Sequence, residues 1–451
     1  MSVEESKSSK KVDAKKDNKE LKDALSAFGS VDGSKIEELK RKMAEKKEKE
    51  SSHEKSINIS IIGVGQAGSR IAQVFYKNGY KTCVINTSSQ DLKFIDVPDD
   101  NKLLLEGSLG GTGKDLDLGR EIFLDSVDLI EEFLHPTLDG QDMTYLTLSG
   151  GGGTGSSSAE TMIDILFGFG MPVGVIYVLP KQTDDAQSKK NALETLSRLA
   201  SMSRENKISS LVVVDNARIE QIYADLSQAR FWDVSNFAIV EPLVKFNYLT
   251  SKPSRHTSLD PSDFAKIISC GDCSIYGMIE TTNLEEETGL AEAVIESLSE
   301  NMLAEGFDLE QTRVGGVIIC AHPNVLDSLP ALNINYCFHM ISEKTKGASI
   351  FQGVYDDETC EDQVKIYTWF AGLGLPSTRI ETLKEESKAL QALQKSKESD
   401  RLSQMSLDLG KDNTTTMTDE INRKIKKKSS SFGKLQRGGS RSIIDRRRKR
   451  K

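Results

Sequence analysis

Four consecutive glycines, Gly150 to Gly153, limit what this chain can fold into more than any other feature. They sit in Ser149-Gly150-Gly151-Gly152-Gly153-Thr154-Gly155-Ser156-Ser157-Ser158-Ala159, between a strand pattern (Met143–Leu148) and a helix pattern from about Ser157 to Phe169. Without Cβ atoms the turn can take φ > 0 without strain, and its amides can approach an anion closely. The helix that follows starts with free N–H groups and a partial positive charge, which favours phosphate. Thr154 and the three serines offer further hydroxyl donors. The plain alternative is a Gly/Ser linker, and the ordered patterns on both sides argue against it. The run reads as a phosphate loop.

The 451 residues are enough for two domains and tails. No apolar run reaches the ~20 residues of a membrane span. The charged N-terminus carries no secretory pattern, and six scattered cysteines fit a reducing, cytoplasmic setting better than a disulfide framework. Cys270-Gly-Asp-Cys273 is a lone CxxC with no second pair, so no metal is assigned to it. Charge is uneven. Residues 421–451 hold fourteen Lys and Arg against one acid, Asp445, a net of +13; with −9 for the whole chain, the remainder carries −22. An acidic body with a basic tail suggests separate jobs for the two.

Residues 1–55 are charged and expected to be mostly disordered, with one candidate solvated helix over Ser34–Lys49. From Ile57 the pattern alternates between strand and helix. Strands are expected at Ile57–Ile62, Thr82–Ile85, Met143–Leu148, Val173–Leu179 and Ser209–Val214. Helices are expected at Ile71–Asn78, Leu118–Phe133, about Ser157–Phe169 and Asp185–Arg204, with Gly63–Arg70 as a turn. Apolar strands alternating with helices predict an α/β fold with a parallel sheet covered on both faces. A helix over Ser235–Thr250 then leads to a second α/β block, with a helix at Leu290–Leu303 and strands at Ser274–Glu280, Gly315–Ile319, Tyr336–Met340 and Val364–Phe370. A charged helix is expected over Thr382–Leu407, followed by a Ser-rich basic tail. The boundaries are therefore 56–233, 234–256, 257–376 and 377–451.

Gly63-Val64-Gly65-Gln66-Ala67-Gly68 matches the GxGxxG dinucleotide turn. A dinucleotide fold wants an acid at the end of the second strand for the ribose, and this chain has Asn86 there. One dinucleotide turn also leaves the second glycine loop unexplained. The Walker motif fails as well: Asp115 follows Gly113-Lys114, and Ser108 replaces the first glycine. Several glycine loops on one sheet edge suit a nucleoside triphosphate.

These elements, taken in order over about Ile57–Phe370, resemble the tubulin/FtsZ superfamily, whose signature GGGTGS stands here as Gly151–Ser156. The resemblance implies a Rossmann-like GTPase domain joined by a central helix to a smaller α/β activation domain. It implies GTP/GDP and Mg²⁺ as ligands. Its implied GTP contacts are Gly63, Gly65, Gln66, Ala67, Gly68 and Arg70 in the first loop, and Asn86 and Thr87 in the second. Gly110, Gly111 and Thr112 would face the terminal phosphate; Gly151, Gly152, Gly153, Thr154, Gly155 and Ser156 would form the phosphate loop. Pro180, Asp184 (or Asp185) and Lys189 would face the ribose, with Lys where the family has Arg. Asn216 and Glu241 would read guanine, and Phe237 would stack on it.

The same resemblance puts two catalytic acids, Asp260 and Asp263, in Ser258-Leu259-Asp260-Pro261-Ser262-Asp263, and has them act on the nucleotide of the next subunit. Read locally, Asp260-Pro261 is also a good N-cap and N1 pair, which is compatible. Ser258 stands where the division proteins carry Asn. Pro242 lies inside the expected central helix, where it should remove a bond and kink the chain at about 3 kcal/mol. The implied activity is GTP hydrolysis in a head-to-tail homopolymer. Such a heterologous contact, repeated without closing, gives a filament. A division-ring FtsZ is the alternative, weakened by the lack of an apolar docking peptide near the end; a non-hydrolysing structural relative is another. Arg446–Lys451 suits DNA, RNA or anionic lipid, or the acidic body of a neighbour.

Overall fold

The computed structural model describes residues 55–405, apart from 108–109, 225–226, 285, 287, 300–302 and 361. The candidate helix at Ser34–Lys49 and the basic tail lie outside these residues. The chain forms two compact units, Met1–Ser387 and Lys388–Lys451. Of the second unit, the described part is the continuation of the last helix.

In the first half, the strands are β1 (Ile59–Val64), β2 (Lys81–Asn86), β3 (Lys102–Leu104), β4 (Met143–Ser149), β5 (Val173–Leu179) and β6 (Ser210–Asp215). Between them run α1 (Gly65–Lys77), α2 (Ser89–Lys93), α3 (Leu116–Asp125), α4 (Val127–Leu138), α5 (Thr154–Gly168) and α6 (Ala186–Arg204). The second half adds α7 (Asn216–Ile222), α8 (Gln228–Leu249), α9 (Pro261–Ile268), β7 (Cys273–Thr281), α10 (Gly289–Ser299) and β8 (Val314–Ala321). It closes with α11 (Pro323–Ser328), α12 (Ala331–Lys344), β9 (Ser349–Asp356), β10 (Val364–Leu373) and α13 (Ser377–Met405).

One ten-stranded sheet runs through both halves in the order β3-β2-β1-β4-β5-β6-β7-β10-β8-β9. The first six strands are all parallel, in the doubly wound 3-2-1-4-5-6 order. Their Val- and Ile-rich runs are buried at every central position, as strands covered on both faces require. The two halves meet at a short seam, where β6 pairs in parallel with β7 at Leu211–Cys273 and Val212–Ser274. Beyond it β10 is antiparallel to both β7 and β8, and β8 is parallel to β9.

Several expectations are corrected. Tyr336–Met340 is not a strand but part of α12, whose buried residues Asn333, Cys337, Phe338 and Ile341 recur at helical spacing. The expected single helix over Leu118–Phe133 is two, breaking at Ser126, which ends α3 and caps α4. Gly63–Arg70 is mostly helix: Gly65 alone takes the left-handed step, φ +72°, and α1 begins there. Strands β3 and β9 escaped the sequence reading. The first has three residues, and β9 carries Gln352 and Gly353 mid-strand at the sheet edge.

Helix α8 spans 22 residues, about 33 Å at 1.5 Å per residue. It continues through Pro242. A proline here deprives the Ala238 carbonyl of its donor and crowds the preceding turn. One carbonyl along, Ile239 is served from outside the helix by the buried Tyr276 hydroxyl, which donates to it at 2.8 Å. Tyr276 also packs with Trp369, Phe246 and Phe264 in an aromatic cluster that joins α8, α9, β7 and β10. Tyr276→Phe should therefore lower unfolding free energy by about 1–2 kcal/mol in denaturant titration, and an unchanged midpoint would remove this bond from the account of Pro242.

Candidate functional site

Because the first six strands are parallel, their C-terminal turns all emerge at one sheet edge, and the glycine loops converge there. The close packing is steric. A Cβ on Gly68 would stand 2.1 Å from the Thr147 carbonyl oxygen, so only glycine lets α1 lie this close to β4. Thr147 Oγ1 donates to the Gly68 carbonyl at 2.8 Å across the same contact. Thr87, after β2, and Thr154, opening α5, share a hydroxyl hydrogen bond of 2.7 Å. Gly110, Gly111 and Gly113 all have positive φ, and they carry Thr112 and Lys114 onto the phosphate loop. A Cβ on Gly153 would fall 1.9 Å from Thr112 Oγ1 and 2.8 Å from the Lys114 amide nitrogen.

The loop itself is organised by Ser156, whose hydroxyl lies 2.6 and 2.7 Å from the Gly150 and Gly152 carbonyls. Ser157 and Ser158 likewise donate to backbone carbonyls of their own turn. The expected serine donors are thus spent inside the loop. What remains for an anion is the set of backbone amides opening α5. Two features fit an anion held there. A Cβ on Gly152 would meet nothing within 4 Å, so this glycine faces an open cradle. Buried Thr112 Oγ1 and Asn86 Nδ2 have no partner, although Asn86 Oδ1 accepts from the Thr87 and Ser88 amides.

Pro180 and Asp184 come together with the loop: a Cβ on Gly151 would lie 3.4 Å from Pro180 Cβ and 3.9 Å from Asp184 Oδ2. Lys114 pairs with Asp185, the N-cap of α6. Burial opposes ionisation of Asp185, yet the Lys114 ammonium and the Ser188 amide hold its carboxyl below the usual range. Lys189 packs against the 180–184 loop. It is buried, donating to the Gln182 carbonyl and to Glu386 Oε2, each at 2.7 Å.

Beside the phosphate cradle lies a cavity of about 40 Å³, whose lining includes Gln66, Ala67, Arg70, Asn216, Trp232 and Asn236. Trp232 and Asn236 are one helical turn apart on α8. Sequence reasoning missed both, although an aromatic and an amide four apart near the start of that helix were the available signal. Phe237 is 40% exposed and does not line the cavity. Glu241 lies on the same helix face as Phe237, toward Lys245, Lys365 and Glu280, and burial pushes its carboxyl above the usual range. The structure therefore does not bring Phe237 and Glu241 to the cavity. Lys181 stands 4.6 Å over the Trp232 ring and Arg70 5.9 Å from it.

The two acids follow the far end of α8 in the chain. Helix α8 starts near the cavity and ends at the beginning of β1, where buried Asn247 bonds both backbone groups of Ile57. The chain then turns into α9, whose far end leads to the start of β7, beside the start of β6. Asp260 caps α9, accepting from the Asp263 amide at 3.0 Å. The Ser262 hydroxyl, with that amide, keeps the Asp260 carboxyl below its usual range. Asp263 is paired with Lys266 at 3.0 Å. The Tyr355 hydroxyl accepts from the Leu259 amide and donates to its carbonyl, fixing the turn just before Asp260.

Residues 58–224 match the Tubulin/FtsZ family, GTPase domain, and residues 245–384 match the TubZ-like C-terminal domain of Tubulin/FtsZ-like proteins. The chain belongs to the tubulin/FtsZ family. It is 27% identical over 323 residues to tubulin-like protein CetZ of Pyrococcus abyssi, covering 69% of this chain and 85% of that one. To tubulin-like protein TubZ of Bacillus cereus it is 24% identical over 351 residues, covering 71% and 80%. Its fold is similar to that in a GTPγS-form protofilament of TubZ from Bacillus thuringiensis serovar israelensis, with TM-score 0.69, 21% identity, and 78% and 96% of the two chains covered. The glycine edge lies within this chain's tubulin/FtsZ GTPase domain, and Asp260 and Asp263 lie in the TubZ-like segment. Among the described residues no helix is long and apolar enough to cross a membrane.

Two glycines separate packing from binding. Gly153→Ala should destabilise the fold by about 1–3 kcal/mol through overpacking against Thr112. Gly152→Ala should melt like the parent yet lose guanine-nucleotide binding, measured by equilibrium dialysis. Normal nucleotide binding in Gly152→Ala would remove the cradle from the site.

Proposed function

We propose that this chain binds GTP at the glycine edge, assembles head to tail, and hydrolyses GTP where one copy's Asp260 and Asp263 meet the nucleotide of the next. The observation that carries the reading is the separation of the two sets of residues. Helix α8 is about 33 Å long, the cavity residues Trp232 and Asn236 lie near its start and the acids follow its far end, so in this reading they serve the nucleotide of another copy. Stacking one copy's acidic turn on another's glycine edge brings them together. Such a contact is heterologous, and its repetition builds a filament.

In this reading the amides of Gly151 to Gly155 and the Thr112 hydroxyl hold phosphate oxygens. Gly63, Gly65, Gln66, Gly68, Gly110 and Gly111 bring the backbone close, and Pro180 and Asp184 flank the ribose. Guanine offers N1–H and N2–H donors, which the amide oxygens of Asn216 and Asn236 accept, while Trp232 stacks on the ring. The small cavity opens as Trp232 and Arg70 part. Asp260, ionised and exposed, and Asp263 orient a water for in-line attack on the terminal phosphate. Developing charge on that group is met by the loop amides. Mg²⁺ would travel with the phosphates, which are its usual ligands; among the described residues no three His, Cys, Asp or Glu side chains come together as a cage. The basic tail is read as a grip on DNA, RNA or anionic lipid, in a cytoplasmic filament.

Asp263→Ala should leave GTP affinity and filaments intact and reduce turnover at least ~100-fold, the range of a lost catalytic group. In the parent, phosphate release should rise steeply above a threshold protein concentration. Release linear in concentration down to the lowest level, or parental turnover by Asp263→Ala, would contradict the proposal.

A further inference from the structure

We infer that the start of α13 clamps both loops that flank the nucleotide, with Arg379 and Glu386 as positioning residues. The inference rests on the GTP reading above. Four charged side chains meet under the glycine edge, all within the first compact unit. Lys189 is 2% exposed, Arg379 6%, Asp215 5% and Glu386 19%. Arg379 Nε lies 2.7 Å from Asp215 Oδ2, and its Nη1 lies 3.3 Å from Glu386 Oε1. The other Glu386 oxygen holds Lys189 at 2.7 Å. One side chain of α13 thus bridges two cations, and the network crosses from β6 to α6.

Each end of the network touches a nucleotide-facing segment. Asp215 is the last residue of β6 and the N-cap of α7, accepting from the Ala217 amide at 3.1 Å. The residue it holds in place is its neighbour Asn216, in the base cavity. At the other end the Lys189 ammonium donates to the Gln182 carbonyl, inside the 180–184 loop that carries Pro180 and Asp184 against Gly151. Gln182, Lys189, Glu386, Arg379, Asp215 and Asn216 form one chain of contacts. Burying four charges is a poor route to stability, since well-packed apolar groups usually do as well. A network that joins the base loop to the ribose loop fixes their spacing, and that spacing sets how tightly a nucleoside can be held.

Lys189→Met with Glu386→Met in the full-length chain removes the ribose-side arm while keeping the volume filled, so melting should stay near the parent. Release of a fluorescent GDP analogue, followed by stopped flow, should then quicken about tenfold. KM for GTP should rise by more than kcat falls, because in the GTP reading the acids come from another copy. Arg379→Lys tests the base side: preference for GTP over ITP, which lacks the 2-amino group, should shrink roughly fivefold. Parental release and preference in both variants, or a fall in melting temperature with neither change, would overturn the clamp. If the double variant fails to fold, Arg379→Lys alone decides. A parent that binds no guanine nucleotide would instead sink the GTP reading and the clamp with it.

Discussion

Everything in this molecule depends on six strands running the same way. A parallel sheet sends every strand-to-helix turn to one edge, and the glycines there remove the side chains that would keep those turns apart. Gly68 against Thr147 and Gly153 against Thr112 are contacts that one added methyl would block. The result is a concave edge of backbone amides, backed by a core of buried Val, Ile and Leu. Hydroxyls that the sequence offers as donors are used to brace the loop, which keeps the amides in place.

The second consequence of the parallel sheet is polarity. Helix α8 starts beside the cavity and leads the chain on to α9, where Phe264, packed with Phe246 and Trp369, sets the helix that carries Asp263. Asn247 locks the far end of α8 to the start of β1. The Tyr276 hydroxyl from β7 bonds the Ile239 carbonyl beside the Pro242 turn, so α8 is braced from the second half of the sheet. The cavity, the glycine loops and the acidic turn are thus joined through a single continuous core.

Much of this was legible in the sequence because it is written in local patterns. The glycine run between an apolar strand and a helix, the alternation of apolar strands and helices that makes a parallel sheet, and the Asp260-Pro261 cap all depend on neighbours in the chain. The strand at Val173–Leu179 matches residue for residue. What the sequence does not place depends on tertiary context. Tyr336–Met340 has strand-forming residues, but their burial follows a helical stripe. Lys189 suits a phosphate or ribose by charge, yet a glutamate 197 residues away claims it. Phe237 and Glu241 have the same aromatic-and-polar spacing as Trp232 and Asn236. Only the rotation of α8 against the sheet distinguishes the two pairs.

If nucleotide and acids are completed by different copies, two inactive variants should rescue each other when mixed. Subunits carrying Gly152→Ala keep their acids but lack the cradle, and subunits carrying Asp260→Ala with Asp263→Ala keep the cradle but lack the acids. Each alone should release almost no phosphate from GTP. Mixed in equal amounts, they should recover a substantial fraction of parental phosphate release, because some interfaces join an intact cradle to intact acids. A mixture as inactive as its two components, while still forming mixed filaments by electron microscopy, would contradict the account.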